Sequence, residues 1–325
     1  MVSHFRLLST RLVNIGPFKD TLIKFTNEEN IPMSLVLIAG ANGSGKTTVL
    51  ETIAHVVSLF NGGGTLLNKN LSSQEYAQVD IALDEKKISL FYGHKPHDQE
   101  LQEHYLGYFG GKLDYSSDSV RKDMIAIQRC EQSIVDLKKC EGHPSLLYFP
   151  HFRMIHPVRG DAVSKEVIMY RWVFRYQECR QFPGSLDAYL VWLDYAKPEV
   201  FIEVKDFLNK YALTGKKISH VEREELKAII ITEQGGKHYL EDLSSGEQNL
   251  MALLLEIKKR LIPGSVLMID EIENSLHEAF EYKIGHILQK LQEEYQLQII
   301  VSSHSDTFLK LFGTQNTLIF TGIQR

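Results

Sequence analysis

The residues best suited to chemistry open with Gly40 to Thr48, reading G-A-N-G-S-G-K-T-T, directly after the apolar run Ser34-Leu35-Val36-Leu37-Ile38-Ala39. Gly40, Gly45, Lys46 and Thr47 fit the phosphate-loop pattern G-x-x-x-x-G-K-[ST]. Glycines let backbone N–H groups curl around phosphate oxygens, and the N-terminus of the helix that follows adds a favourable dipole. Gly40, Ala41, Asn42, Gly43, Ser44, Gly45, Lys46, Thr47 and Thr48 are therefore candidate nucleotide-binding residues. Lys46 would reach the β- and γ-phosphates and the Thr47 hydroxyl would ligate Mg²⁺. The competing reading is a plain glycine turn between a strand and a helix.

Three further stretches carry groups that such a loop needs. Val266-Leu267-Met268-Ile269 reads as a buried strand ending in Asp270-Glu271. Asp270 is the candidate Mg²⁺ ligand, partly through water, and Glu271 the candidate general base. Leu297 to Val301 is another buried strand, running into Ser302-Ser303-His304, and a histidine at a strand tip can hydrogen-bond a γ-phosphate. Leu243-Ser244-Ser245-Gly246-Glu247-Gln248 opens an apolar helix over Asn249 to Lys259. Taken alone, its polar start is either an ordinary cap or an anion site.

The elements around these groups follow from periodicity and turn chemistry. Phe5 to Ile15 and Thr21 to Phe25 read as a hairpin joined at Gly16-Pro17-Phe18-Lys19-Asp20, and Phe18 is either a core plug or a partner for an adenine. Leu35 to Ala39 is the strand before the phosphate loop, and Thr47 to Phe60 the helix after it. Ala77 to Leu83 and Lys87 to Tyr92 alternate as strands, whereas His94 to Asp118, polar and glycine-bearing, is expected as a long loop. Its His94, His97 and His104 lack companion ligands and read as surface histidines. Helical spacing covers Val120 to Lys139, Lys165 to Gln181, and Leu186 to Ala212 with a break at Pro198. Leu146 to Pro150, Ala228 to Thr232 and His238 to Leu240 read as strands.

Composition narrows the class. The chain is 43% hydrophobic and 24% charged, as in ordinary globular proteins, and its net charge of −5 gives no global pull toward nucleic acid or an anionic membrane. Residues 153–180 are the exception: Arg171, Arg175 and Arg180 are interleaved with Trp172, Phe174 and Tyr176, the one basic, aromatic stretch that could meet nucleic acid or a partner. Its bland alternative is an amphipathic helix with a solvated face. Cys130, Cys140 and Cys179 form no C-x-x-C pair, which argues against a disulfide scaffold or zinc site. The N-terminus does not read as a signal peptide and no run is long enough for a membrane span, so a cytoplasmic protein without a membrane partner is expected.

Phosphate loop, L-S-S-G-E-Q, h-h-h-h-D-E and strand-end histidine occur in the order seen in the ATP-binding-cassette ATPases, and the chain resembles that family over nearly its whole length. The N-terminal L-V-N-I-G-P-F-K-D hairpin is similar to the SMC/RecF branch rather than the transporter branch. The run D-E-I-E-N-S-L-H resembles a prokaryotic AAA subgroup of that branch, many of whose members serve in phage defence. The resemblance implies an α/β P-loop head with a mixed sheet lobe, residues 1–93 and 249–325, and an inserted, mainly helical lobe, residues 94–248. It implies ATP and Mg²⁺ as cofactors, and a homodimer that sandwiches ATP. Ser244, Gly246 and Glu247 of one subunit would complete the site formed by Lys46, Thr47, Asp270, Glu271 and His304 of the other.

Departures from the family pattern are Ser245 in the signature, His277 at the D-loop position and no identifiable Q-loop glutamine. The Leu146–Pro150 strand instead ends at His151, and Gln74, Gln78 and Gln128 are the other candidates by position. About 195 residues separate Thr47 from Leu243, without sustained heptads or a C-x-x-C, so neither a long coiled coil nor a zinc hook is expected. The reading is a bare ATPase head that senses or clamps nucleic acid and controls a separate effector, a nuclease or toxin, in anti-phage defence. A RecF-like repair ATPase and, more remotely, a transporter energy module are the alternatives.

Overall fold

The structure, a computed structural model, describes residues 3–61, 75–97, 100–133, 143–151, 168–176, 186–274 and 278–320. The chain begins with the expected hairpin, β1 (Phe5–Ile15) and β2 (Phe18–Lys24), which turns at Gly16 with φ +54°. Then come β3 (Leu35–Gly40), the phosphate loop and α1 (Lys46–Val57). β4 (Tyr76–Leu83) and β5 (Lys86–Gly93) pair antiparallel, with β4 against β1.

Residues 94–118, expected as a loop, contain two strands, β6 (Tyr105–Phe109) and β7 (Lys112–Tyr115). Gly110 and Gly111, both at positive φ, make their hairpin turn. β6 pairs parallel to β5, and Tyr108 stacks on Tyr92 with ring centroids 5.6 Å apart. The cross-strand aromatic contact outweighs the local glycine and polar content that suggested a loop. The first sheet therefore has the order β2-β1-β4-β5-β6-β7. α2 (Asp118–Ser133) follows and buries Val120 and Met124 in the core beneath this sheet.

β8 (Leu146–Phe149) and β9 (Val173–Arg175) come next. β9 corrects the expectation of a helix over Lys165 to Gln181: Val173 and Phe174 pair with Leu146 and Leu147, and tertiary pairing overrides the apparent helical spacing. Residues 168–172 and 176 of that span are not helical either, and residues 165–167 and 177–181 lie outside the described residues. α3 (Leu186–Ala196) and α4 (Pro198–Tyr211) are separated where Pro198 starts a new helix. A small antiparallel sheet of β10 (Lys216–Glu222), β11 (Lys227–Thr232) and β12 (Lys237–Tyr239) leads to α5 (Ser245–Lys258). β13 (Val266–Ile269), α6 (Glu278–Tyr295), β14 (Gln298–Ser303), α7 (Asp306–Phe312) and β15 (Thr317–Phe320) complete the chain.

The second large sheet runs β15-β3-β14-β13-β8-β9 with every neighbour parallel. Its strands are apolar on both faces, as a buried parallel sheet requires. Val36, Ile38, Val266, Met268 and Ile300 face one core, and Leu37, Ala39, Leu267, Ile269, Ile299 and Val301 face the other. α1 contributes Val49, Leu50, Ile53 and Val56 to the first core, together with the inner residues of the first sheet. α3, α4, α5 and α6 pack in the second. This is the α/β P-loop arrangement with a mixed sheet. Among the described residues of 94–248, β6 and β7 join the first sheet, β8 and β9 the second, and α2 packs under the first, while α3, α4 and β10–β12 stand outside both large sheets. No helix among the described residues is long and apolar enough to cross a membrane.

His55 in α1 is 4% exposed, both ring nitrogens are buried without a hydrogen bond, and its ring meets Tyr92 edge-on at 4.3 Å. Burial pushes its pKa down from 6.5 to about 4, opposed by Glu51. As pH falls from 6.5 to 4 the unfolded chain takes up this proton first, so the stability contributed is full above pH 6.5 and is lost on the way to pH 4. Asp187, pushed up to about 6 by burial, acts in the opposite sense over much of that range. A comparison with His55→Leu isolates the histidine. Relative to that variant, the wild type should lose about 3 kcal/mol between pH 6.5 and 4 in urea denaturation. A pH-independent difference would overturn the assignment.

Candidate active site

Parallel strands end on the same side, and here four of those ends carry the candidate residues. Ile269 is in register with Phe149 on one side and Val301 on the other, while Ser303 is in register with Ala39. The phosphate loop, Asp270-Glu271, Ser302 to His304 and His151 thus project from one carboxyl edge, where α/β sheets bind ligands.

The phosphate loop keeps its shape through two glycines in the left-handed region, Gly43 at φ +79° and Gly45 at +98°. Gly45 is the N-cap of α1. A Cβ there would lie 2.6 Å from the Phe18 ring and 2.7 Å from Pro17, so the β1–β2 turn is packed against the loop. Phe18 also meets Phe320 edge-on at 5.9 Å. Lys46, 4% exposed, donates to the carbonyls of Gly40 at 2.7 Å and Ala41 at 3.1 Å. The Ser44 hydroxyl is buried without a hydrogen-bond partner.

Asp270 is fully buried and joins three strand ends. Its Oδ2 accepts from the Thr47 hydroxyl at 2.7 Å and faces His151 Nδ1 at 3.3 Å. Its Oδ1 accepts from the Ser302 hydroxyl. Glu271, partly exposed, has φ +44°, a left-handed backbone that costs a non-glycine residue about 1–2 kcal/mol. The Ser302 Oγ holds its N–H at 2.8 Å, and Asn274 N–H donates to its carbonyl at 2.8 Å. Two residues on, buried Glu273 accepts from the backbone N–H of His304 at 2.8 Å and lies 2.6 Å from its Nδ1.

Ser244, Gly246 and Glu247 form a separate cluster at the start of α5. Ser244 is its N-cap, its Oγ accepting from the Glu247 N–H at 3.3 Å while Glu247 Oε2 accepts from the Ser244 N–H at 3.1 Å. Lys216 of β10 donates to Glu247 Oε1 at 2.9 Å. Burial would raise the Glu247 pKa, but Lys216 and the Ser244 N–H and hydroxyl outweigh it and hold the carboxyl below its ordinary range. A Cβ on Gly246 would lie 2.7 Å from the Phe280 ring. Glu247 is thus engaged in capping and in an ion pair within its own chain.

The residues at the carboxyl edge fit a nucleotide and Mg²⁺. Left-handed glycines and an unpartnered buried hydroxyl make a phosphate cradle, and the Thr47 hydroxyl with the Asp270 carboxylate is a hard-oxygen pair. No cluster of three or more His, Cys, Asp or Glu suited to a metal occurs among the described residues. Sequence reasoning missed Ser302 and Glu273, and named His151 only as a strand end. Hydroxyls before a strand-tip histidine were the available signal for Ser302; none pointed to Glu273. In the basic stretch, Trp172 is 2% exposed and stacks on Phe5 at 4.8 Å, and Arg175 is paired with Glu51 at 2.6 Å. These two are structural, Arg171 is exposed, and Arg153 and Arg180, like His277, lie outside the described residues.

A family described as AAA domain, putative AbiEii toxin, Type IV TA system matches residues 186–310, and a second AAA-domain family matches residues 10–102. No curated protein matches the chain. Among solved structures, the SMC head domain from Thermotoga maritima is similar at 14% identity and TM-score 0.49, covering 94% of this chain and 92% of that one. An Smc head with an extended coiled coil bound to the C-terminal domain of ScpA, derived from Pyrococcus furiosus, gives 12% and 0.49 over the same shares. A dimeric bacterial ABC transporter cassette gives 13% and 0.42, over 99% of this chain and 97% of that one. AAA-domain matches over residues 10–102 and 186–310, added to the motif order and the strand topology, support a P-loop domain of the AAA type.

The two loop glycines separate backbone from contact effects. Gly43→Ala meets nothing within 4 Å and should cost about 1 kcal/mol for its left-handed backbone alone. Gly45→Ala adds the clash with Phe18 and Pro17 and should cost about 3 kcal/mol. Urea denaturation measures both, and equal losses would show that the β1–β2 turn does not restrain the loop.

Proposed function

We propose that this chain is an ATP-hydrolysing switch of the SMC/RecF-like type, acting as a head-to-tail dimer with ATP between two copies. The observation that carries the reading is the Thr47–Asp270 hydrogen bond beside a left-handed Glu271, at the carboxyl edge that also bears the phosphate loop. Lys46 would leave the Gly40 and Ala41 carbonyls for the β- and γ-phosphates, and Thr47 and Asp270 would hold Mg²⁺. The metal would supply charge neutralisation at the phosphates. Glu271 would take the proton of the attacking water, and His304 would hydrogen-bond the γ-phosphate.

Ser244 and Gly246 would act on the nucleotide of the other copy. Their backbone N–H groups lie in the first turn of α5, where an anion is favoured. Glu247 belongs to this dimer face through its hold on Ser244. The same reading makes the protein cytoplasmic, with an output delivered to a nuclease or toxin partner when foreign nucleic acid is sensed. The toxin–antitoxin description of the family matching residues 186–310 is in keeping with a defence role. Any nucleic-acid contact from the 153–180 stretch would use Arg171 and residues beyond the buried Trp172.

Light scattering and ATPase rates test this together. Glu271→Gln should lose about 100-fold or more in turnover and accumulate, with Mg-ATP, at twice the monomer mass. Ser244→Arg in the same background should return it to the monomer mass. Unchanged mass with ATP removes the sandwich dimer, and wild-type turnover in Glu271→Gln removes the general base.

A further inference from the structure

Glu273 stands three residues beyond Asp270 in the turn after β13, and its partner is 31 residues away at the end of β14. Its buried Oε1 accepts the His304 N–H at 2.8 Å and lies 2.6 Å from Nδ1 of the same residue. The imidazole itself is half exposed. A carboxylate only accepts hydrogen bonds, so the contact requires the proton on Nδ1 and leaves Nε2 as the ring nitrogen turned outward. The pair belongs to a clasp between the turn and the strand end: Glu271 N–H to Ser302 Oγ at 2.8 Å, Ile272 N–H to the Ser302 carbonyl at 3.1 Å, then Glu273 to His304. On the far side Ser305 Oγ donates to Glu281 at 2.5 Å and its N–H to Ser303 Oγ at 2.9 Å.

Resting on the nucleotide reading above, we infer that Glu273 is a positioning residue that sets the tautomer and direction of His304, so that Nε2 meets the reacting end of the nucleotide. An apolar side chain would serve the core at least as well as a buried carboxylate, so stability alone does not account for the residue. The logic is that of histidines elsewhere, whose working nitrogen is set by the hydrogen bond of the other. Glu271 and His304 are thereby fixed to the same clasp, one through its backbone and the other through its ring.

Long-range ¹H–¹⁵N spectra of histidine-labelled protein, with His304 assigned by its loss in His304→Gln, read the tautomer without nucleotide or turnover. Neutral His304 should carry its proton on Nδ1 in the wild type. Glu273→Ala should move it to Nε2 or a mixture, and Glu273→Gln, whose amide oxygen can accept both donors, should restore Nδ1–H. Turnover of Mg-ATP should fall roughly 10–100-fold in Glu273→Ala, with nucleotide affinity changed less than about threefold, and recover in part in Glu273→Gln. A wild-type Nε2–H tautomer, or one indifferent to Glu273→Ala, overturns the inference even if ATP is hydrolysed. A wild type that shows the Glu273-dependent tautomer but neither binds nor hydrolyses ATP removes the nucleotide reading and leaves the Glu273 contact standing.

Discussion

A carboxylate with no access to water governs this structure. Buried at the end of β13, Asp270 would cost several kcal/mol if its oxygens were left without partners. Thr47 from the start of α1 and Ser302 from the end of β14 supply them by hydrogen bonds, and His151 from beyond β8 lies 3.3 Å away. Meeting the needs of one side chain therefore fixes the relative heights of the strand ends. The phosphate loop, the left-handed Glu271 and the Glu273–His304 contact inherit their positions from it. A metal joining Thr47 and Asp270 would enter an arrangement whose two protein oxygens already lie within hydrogen-bond distance, so little ordering would remain to be done.

Around that point the packing is simple in origin. Strands such as β3, β8 and β13, apolar along their length, bury both faces, and the two-residue period sends neighbouring side chains to opposite cores. α1 lies between the parallel sheet and the mixed first sheet, which explains why it buries Val49, Leu50, Ile53, Ala54, His55, Val56 and Val57 rather than a single stripe. The other core collects the helices that carry the capped start of α5. The phosphate loop and the Ser244–Glu247 cap are thus rooted on opposite sides of one sheet.

Legibility in the sequence followed the range of the interactions. β3 with its loop, β13 with Asp270-Glu271, and the Ser244 cap are local patterns, in which neighbours in the chain are neighbours in space, and the structure places them as read. β6 and β7 are held by pairing to β5 and by the Tyr92–Tyr108 stack, against glycines that locally argue for a loop. β9 owes its form to β8, more than twenty residues earlier, and Trp172 is core because Phe5 lies beside it. Glu273 was invisible for the same reason: nothing near it in the chain announces His304. Spacing revealed which groups exist at the site, but their mutual support came from the strand order.

The position of α1 also distributes rigidity. A helix enclosed by two sheets can open to solvent only when the core between them comes apart, so its amides belong with the slowest-exchanging protons of the molecule. The phosphate loop is rooted in that helix and pressed by Phe18 from the hairpin. Any rearrangement on nucleotide binding would then fall to the segment built from α3, α4 and the three short strands, which stands outside the large sheets. In mechanical terms the nucleotide cradle is the anvil and that segment the arm, with Lys216–Glu247 as the rivet between the arm's first strand and the head of α5.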